Sequence, residues 1–203
     1  MPATRHSPAA WRCALSLIRS IIKRLPLFAV DRSAASAVEF ALILPMLDFA
    51  FMGTIDVGQL ILANMKVYNA ASSMADLVAR DETISAATLT DLFGAATQVA
   101  KPLDLGANGK VIITSASADT DNDPRIFLQS SDAGAYAATS AVGTVIGDAA
   151  TLPPTLQVDD QETIIVSEVF DQLEPIFGLF NTATTVYHSA YSHPRLGMLR
   201  EIE

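Results

Sequence analysis

Glu39-Phe40-Ala41-Leu42-Ile43-Leu44-Pro45-Met46-Leu47-Asp48-Phe49-Ala50-Phe51-Met52-Gly53-Thr54-Ile55-Asp56-Val57-Gly58-Gln59-Leu60-Ile61-Leu62 decides how the rest of this chain is read. Of the 23 residues 40–62, sixteen are Ala, Val, Ile, Leu, Met or Phe, and none is Lys or Arg. A helix rising about 1.5 Å per residue makes that run roughly 34 Å long, enough to cross a hydrocarbon core of about 30 Å. The run therefore predicts a membrane-spanning helix. Three acids, Glu39, Asp48 and Asp56, lie in or beside it.

The flanks orient the span. Residues 1–33 carry Arg5, Arg12, Arg19, Lys23, Arg24 and Arg32 against Asp31, a net of +5; the remainder carries 7 bases against 21 acids, a net of −14. Basic residues ahead of a single span favour a cytoplasmic amino terminus and an exported remainder. Trp11, Ala14, Leu15, Ile18, Ile21, Ile22 and Leu25 recur at helical steps, and Pro26 stops the pattern. This basic amphipathic segment suits an anionic inner-leaflet surface. The same composition resembles an organellar transit peptide, an alternative that leaves the span behind it unexplained. An acidic exported domain excludes a nucleic-acid partner, because no phosphate-neutralising basic patch follows residue 33. Cys13 is the single cysteine, so the exported part forms no internal disulfide and rests on packing.

The acids make the span unusual. An Asp near a helix centre costs about 2.5–3.5 kcal/mol on insertion scales, whereas each Leu, Ile, Phe or Val returns about 0.3–0.6 kcal/mol. The sum is near balance, which suits a helix that joins a protein assembly. Asp48 and Asp56 stand about 80° apart on the helical wheel, so one partner helix could meet both. The other reading places Asp56 alone at an interface and accommodates Asp48 by tilt or protonation. Pro45 removes an amide donor and predicts a kink. Gly53 and Gly58 allow close approach of another helix or are simply tolerated small residues.

After residue 62 the apolar stripe continues through Met65, Tyr68, Ala71 or Ser72, Ala75 and Val78, a core-facing pattern that should pack on a sheet. A second helix is predicted over residues 89–99, capped by Thr88 or Thr90. Residues 111–116 and 125–129 read as strands, with Asp121-Asn122-Asp123-Pro124 as the turn of a hairpin. Residues 130–151 read as a long loop; 162–170 and 184–191 are the remaining strands, separated by Pro175 and Gly178. The pattern is α+β: one amino-terminal transmembrane helix extended into an exported domain with a small antiparallel sheet. The expected organisation is a cytoplasmic leader at 1–34, the helix and its extension at 35–80, and the exported domain at 81–203.

Motifs of chemistry are thin. Asp119-Thr120-Asp121-Asn122-Asp123 has the alternating oxygen ligands of a calcium loop, but Pro124 stands where Gly belongs and Ser130 where the closing Glu belongs, so it reads as a turn. His188 and His193 straddle a strand end, a spacing that favours surface or capping histidines over a zinc pair. No Gly-x-Ser-x-Gly elbow, phosphate loop or dinucleotide glycine run is present. The reading is of a protein that is not an enzyme, with no catalytic residue, no metal site and no cofactor. The alternative is a membrane-anchored exported hydrolase using Ser or His chemistry, or an anchored binding module.

Ala37-Val38-Glu39-Phe40-Ala41-Leu42-Ile43-Leu44-Pro45, followed by Ile55-Asp56-Val57-Gly58-Gln59 and Asn69-Ala70-Ala71-Ser72, resembles the TadE-like family of tight-adherence (Flp) pilus assembly proteins. Glu168-Val169-Phe170 ahead of Pro175, and the ending Tyr191-Ser192-His193-Pro194-Arg195, resemble that family's late strand and its aromatic-x-x-Pro-Arg tail. The resemblance implies a pseudopilin or minor pilin anchored in the bacterial inner membrane with a periplasmic domain. Implied partners are the lipid bilayer, other pilins and pseudopilins, inner-membrane platform proteins and the prepilin peptidase. By analogy with type IV prepilins, Glu39 places a cut between Ala34 and Ala35, ahead of Phe40. Ala34 departs from the Gly that processed pilins carry. Glu39 would then offset the new amino terminus of a neighbouring subunit. Glu39, Pro45, Asp48, Asp56 and Gly58 are the expected intramembrane assembly contacts, and Tyr191, Pro194 and Arg195 the tail motif that completes the domain edge.

Overall fold

The structure is a computed structural model that describes residues 35–81, 84–118, 123–132, 134–156, 158–179 and 183–195. The basic amphipathic segment, Cys13, Ala34 and most of the acidic stretch at 119–123 lie outside the described residues. Seven elements follow in chain order: α1 (Ala35–Val78), α2 (Ala86–Val99), α3 (Leu105–Asn108), β1 (Gly109–Ala118), β2 (Pro124–Ser131), β3 (Thr163–Leu173) and β4 (Thr184–Ser192). The chain divides into two compact units, Met1–Phe51 and Met52–Glu203.

In the first unit every described residue is helical and exposed, including Phe40, Leu42, Met46, Leu47 and Phe49. The helix passes through Pro45 without a break in its assignment. The whole of α1 has 44 residues, a rise of about 66 Å and twice what a bilayer core requires. It is the one helix among the described residues long and apolar enough to cross a membrane.

The second unit is built around the other half of α1. Ala63, Val67, Ala70, Ala71, Met74, Ala75 and Val78 are buried, a stripe at three- and four-residue steps. Ala71, Ala75 and Val78 were expected on this face, whereas Met65 and Tyr68 are instead mostly exposed. The buried stripe is rich in alanine, with Val67, Met74 and Val78 as its larger members. It packs with Leu89, Ala96, Ala100 and Leu105 on one face of the sheet, against Val111, Ile113, Ile165, Val169, Leu173 and Val186.

The sheet is fully antiparallel with strand order β2-β1-β3-β4. All four expected strands are present; three reach beyond the expected bounds, and β3 begins one residue later and runs three residues further than expected. The β1–β2 hairpin is formed, with a register shift between Ser115 and Ala116. The opposite face carries Ala116, Ile126, Ile164 and Val166, covered by Val142 and Val158 from the irregular segment after β2. That segment also shields the β2 edge: Gly147 donates to the Ile126 carbonyl at 2.7 Å, and the Ile126 amide donates to Asp148 at 3.0 Å. The α+β architecture is thus a long amino-terminal apolar helix followed by a small antiparallel sheet with helices.

The cap of α2 differs from expectation. Ser85, in an extended conformation, accepts from the Thr88 amide at 3.1 Å, and the helix begins at Ala86. Thr90 turns its hydroxyl back to the Ala86 carbonyl at 2.9 Å and is unavailable as a cap. The one-turn helix α3, capped by Asp104, was not anticipated among the glycines there.

Candidate functional site

Gly53, Asp56, Gln59 and Ala63 follow one another at helical steps along a single face of α1. Asp56 is only 8% exposed. Its partners come from the far end of the chain, in the connection between β3 and β4. The Phe177 amide donates to Asp56 Oδ1 at 3.0 Å and the Leu179 amide to Oδ2 at 3.1 Å. One turn on, Gln59 makes a reciprocal pair: its Nε2 donates to the Glu174 carbonyl at 3.2 Å, and its Oε1 accepts from the Ile176 amide at 3.1 Å. Gly178, at φ 62°, supplies the left-handed turn that brings both amides round to one carboxylate. Four hydrogen bonds from two side chains thus latch residues 174–179 onto the helix.

This arrangement explains why the segment needs an Asp and a Gln three positions apart. A carboxylate has two oxygens and can accept from two amides at once, while the carboxamide both donates and accepts. Gly58 lies on the other side: a Cβ built there would meet nothing within 4 Å. Val57, Leu60 and Ile61 are exposed beside it. Glu39, Pro45 and Asp48 belong to the first unit and are exposed. Asp56 was expected to look outward to another helix; both its oxygens are engaged within its own chain. Gln59 and the loop residues carry most of the site; Gln59 was noted only within the Ile-Asp-Val-Gly-Gln stretch, and Pro175 and Gly178 only as breaks between strands. The apolar loop sequence Pro175-Ile176-Phe177-Gly178-Leu179 was the available signal, because a water-facing turn has no need of Ile and Phe.

A second buried acid fixes the opposite face of the sheet. Glu168 on β3 is fully buried. Its Oε1 accepts from the Tyr187 hydroxyl and the Ala141 amide, both at 2.9 Å, and its Oε2 accepts from the Ser140 hydroxyl. Burial, followed by the bond to Glu168, pushes the Tyr187 phenol up to about 12. Three donors and no histidine surround this carboxylate, which makes it a pin for the covering segment at 140–143.

The tail motif closes the domain at the end of α1. The Arg195 amide donates to the Ala79 carbonyl at 2.9 Å, and its guanidinium meets Asp76 at 2.7 Å. Asp76 also takes Arg80 one helical turn on, and the Arg80 hydrogen bond leads the effects that hold its carboxyl below the usual range. Tyr191 packs on the Ala116–Val166 side of the sheet, and its hydroxyl accepts from Ser189 at 3.2 Å. Pro194 is half-buried between them in sequence. Asp171, buried near Asp104, is pushed up to about 6, first by burial and then by the Asp104 charge.

The two histidines have separate surroundings. His188 faces α1, with Nε2 3.3 Å from Asn64 Oδ1 and its ring edge-on to Tyr68, whereas His193 is exposed beyond β4. Asp123 pairs with Arg125 at 3.0 Å. Among the described residues no three His, Cys, Asp or Glu side chains gather as a metal-holding group. A shallow cleft of about 360 Å³ lies between Pro124 and residues 150–159, lined by apolar residues and Asp159.

Comparison with known proteins bears on the helix that carries the latch. The family model described as TadE-like protein matches residues 34–76, bearing out over that segment the resemblance read from the Ala-Val-Glu-Phe and Ile-Asp-Val-Gly stretches. No curated protein and no solved structure matched the chain.

Proposed function

We propose that this chain is a pseudopilin or minor pilin of a bacterial tight-adherence (Flp type IVb) pilus system, anchored in the inner membrane by α1. In this reading residues 1–34 are cytoplasmic, residues 35–80 form the transmembrane helix and its extension, and residues 81–203 are periplasmic. The observation that carries the reading is a coincidence of boundaries: the TadE-like match, residues 34–76, covers almost the same residues as the long apolar helix Ala35–Val78. The TadE-like match at that segment supports an association with pilus assembly, and a helix of that length and composition is able to serve as the anchor.

The assembly contacts divide between the two halves of the helix. Glu39 and Asp48 are acids on an exposed apolar surface, where an unpaired carboxylate is costly in lipid. A neighbouring subunit's amino terminus or polar side chain would relieve that cost. Gly58, with open space beside it, admits a second helix to close range. Prepilin peptidase would cut between Ala34 and Ala35, freeing an amino terminus four residues ahead of Glu39.

The test is genetic. Deleting the gene in its own cells and counting surface fibres by electron microscopy should show loss of piliation, restored by the wild-type chain and not by Glu39→Ala. Unchanged fibres in the deletion strain would overturn the assignment. Amino-terminal sequencing of the membrane-extracted protein checks processing separately, with Ala35 expected first.

A further inference from the structure

The latch at Asp56 and Gln59 holds the β3–β4 connection against a helix whose outer surface is apolar, and the tip of that connection is itself apolar. Ile176 is 65% exposed and Phe177 45% exposed. Val57, Leu60 and Ile61 are exposed on the same stretch of α1. Two segments far apart in sequence therefore expose large hydrophobic side chains at one level of the second unit. Isolated exposed apolar residues are ordinary; neighbouring Ile and Phe side chains exposed on a loop that hydrogen bonds hold in place ask for an occupant.

The backbone of the loop identifies that occupant. Lipid-facing irregular backbone is tolerated only where its polar groups are satisfied within the protein. Pro175 has no amide to satisfy. The amides of Ile176, Phe177 and Leu179 and the carbonyl of Glu174 are all taken by Gln59 and Asp56. Residues 175–179 carry no charge. The Gly178 amide and the carbonyls of residues 175–179 are not held by this latch, which suits the hydrated headgroup boundary and not the hydrocarbon core. The length of α1 agrees: from residue 35 to residue 55 it rises about 31 Å, which places Asp56 at the edge of a hydrocarbon core of about 30 Å.

We propose that residues 175–179 form a second membrane contact, with Ile176 and Phe177 seated at the headgroup–acyl boundary of the outer leaflet of the bilayer that α1 crosses. This inference rests on the membrane-anchored reading of α1. It moves the lipid span toward the amino terminus, so that Asp56 meets loop amides in place of lipid. It also fixes the domain against the membrane at two points, the helix and the loop, which restricts its rotation about the helix axis. The contact is apolar and not electrostatic, because the domain is acidic and anionic headgroups repel it.

The experiment uses the full chain, with Trp11, its single tryptophan, replaced by Phe, reconstituted in phosphatidylethanolamine–phosphatidylglycerol vesicles. One tryptophan is returned at a time, as Phe177→Trp, Ile176→Trp, Phe49→Trp or Ile146→Trp. Lipids brominated near the headgroup or near the chain end then report depth by quenching. The expected result is blue-shifted emission and strong loss of intensity at 177 and 176 with bromine near the headgroup. Phe49→Trp should be quenched by the deeper bromine, and Ile146→Trp by aqueous acrylamide only. Quenching at 49 with none at 177 or 176 overturns the loop contact and leaves the anchor standing. That holds whether acrylamide reaches the two loop positions or a second copy of the chain shields them. Absence of quenching at 49 as well overturns the anchor and the loop contact together.

Discussion

Replacing Asp56 with Ala removes the acceptor of two amide hydrogen bonds, at 3.0 and 3.1 Å, without touching the core that joins α1 to the sheet. A hydrogen bond to a charged group contributes about 1.5–3 kcal/mol, so two set an upper limit near 6 kcal/mol. The loss is smaller than that limit, because Phe177 is half-exposed and its amide can turn to solvent once the loop is released. We expect the loop to lose about 2–4 kcal/mol of its own opening free energy while the rest of the fold keeps its stability. Since each 1.4 kcal/mol is tenfold, amide exchange across residues 176–179 should accelerate roughly 30- to 1,000-fold. Hydrogen exchange on the detergent-solubilised full chain, read by mass spectrometry on peptides covering the loop, measures this directly. Asp56→Asn keeps one oxygen and should give about half the effect in free energy. Gln59→Ala should open the same loop, and the double variant should fall short of the sum, because the first change already frees the segment. Unchanged exchange at 176–179 in Asp56→Ala would refute the latch. Equal loss of protection in β1 and β3 would refute its local character.

Other consequences concern the domain interior. Asp171, at about 6 in the folded chain against 3.8 for an unperturbed Asp, binds protons more readily folded than unfolded. Its destabilising contribution is fully present above pH 6 and disappears as pH falls toward 4, so stability should fall as pH rises through that window. Asp171→Asn should remove the slope and stabilise the domain at pH 8 by about 1–3 kcal/mol in denaturant titrations. Tyr187→Phe deletes one of the three donors to Glu168 and should cost about 1–2 kcal/mol, measured by the same titration. The Ser167 hydroxyl is buried on β3 without a hydrogen-bond partner among the described residues, so Ser167→Ala should be neutral or stabilising by about 1 kcal/mol in thermal unfolding.

The strands were legible because each is a short apolar run bounded by turn chemistry, and the hairpin followed from Asp, Asn and Pro between two of them. The helical extension was legible as a helix but not in its rotation. Two stripes ran along it, one large (Met65, Tyr68) and one small (Ala63, Val67, Ala70). The large one was read as part of the core face, whereas the fold buries the small one. The cap of α2 was misplaced because Ser85, Thr88 and Thr90 all offer hydroxyls, and only backbone conformation separates them. Asp56 was visible as an awkward acid, yet its partners lie more than a hundred residues away, in a loop whose Ile and Phe are unusual for a turn but name no partner. The Ser85 cap and the Glu168 pin had signals that could be read: a hydroxyl ahead of an alanine pair, and a lone Glu inside Ile-Ile-Val-Ser-Glu-Val.

The distribution of acids along α1 separates two physical problems that the sequence presented as one. An Asp inside lipid costs about 2.5–3.5 kcal/mol, and a protein can relieve that cost by pairing with another chain or by folding over the acid itself. For Asp56 the chain folds over: two loop amides replace the water the carboxylate would lose, and the residue is 8% exposed without any partner subunit. Among the described residues of their unit Glu39 and Asp48 have no such cover and stand on an exposed apolar helix. On the proposed membrane reading, the unrelieved cost is concentrated in the part of the helix that lies in lipid, and relief there must come from another molecule. Asp56 and Gln59 are then a joint within the subunit, whereas the Ala-Val-Glu-Phe segment, with Gly58 on the far side of the helix, faces the assembly. Disrupting the first should loosen the domain on its membrane while leaving subunit pairing in place, whereas disrupting the second should leave the domain intact and remove the reason for pairing.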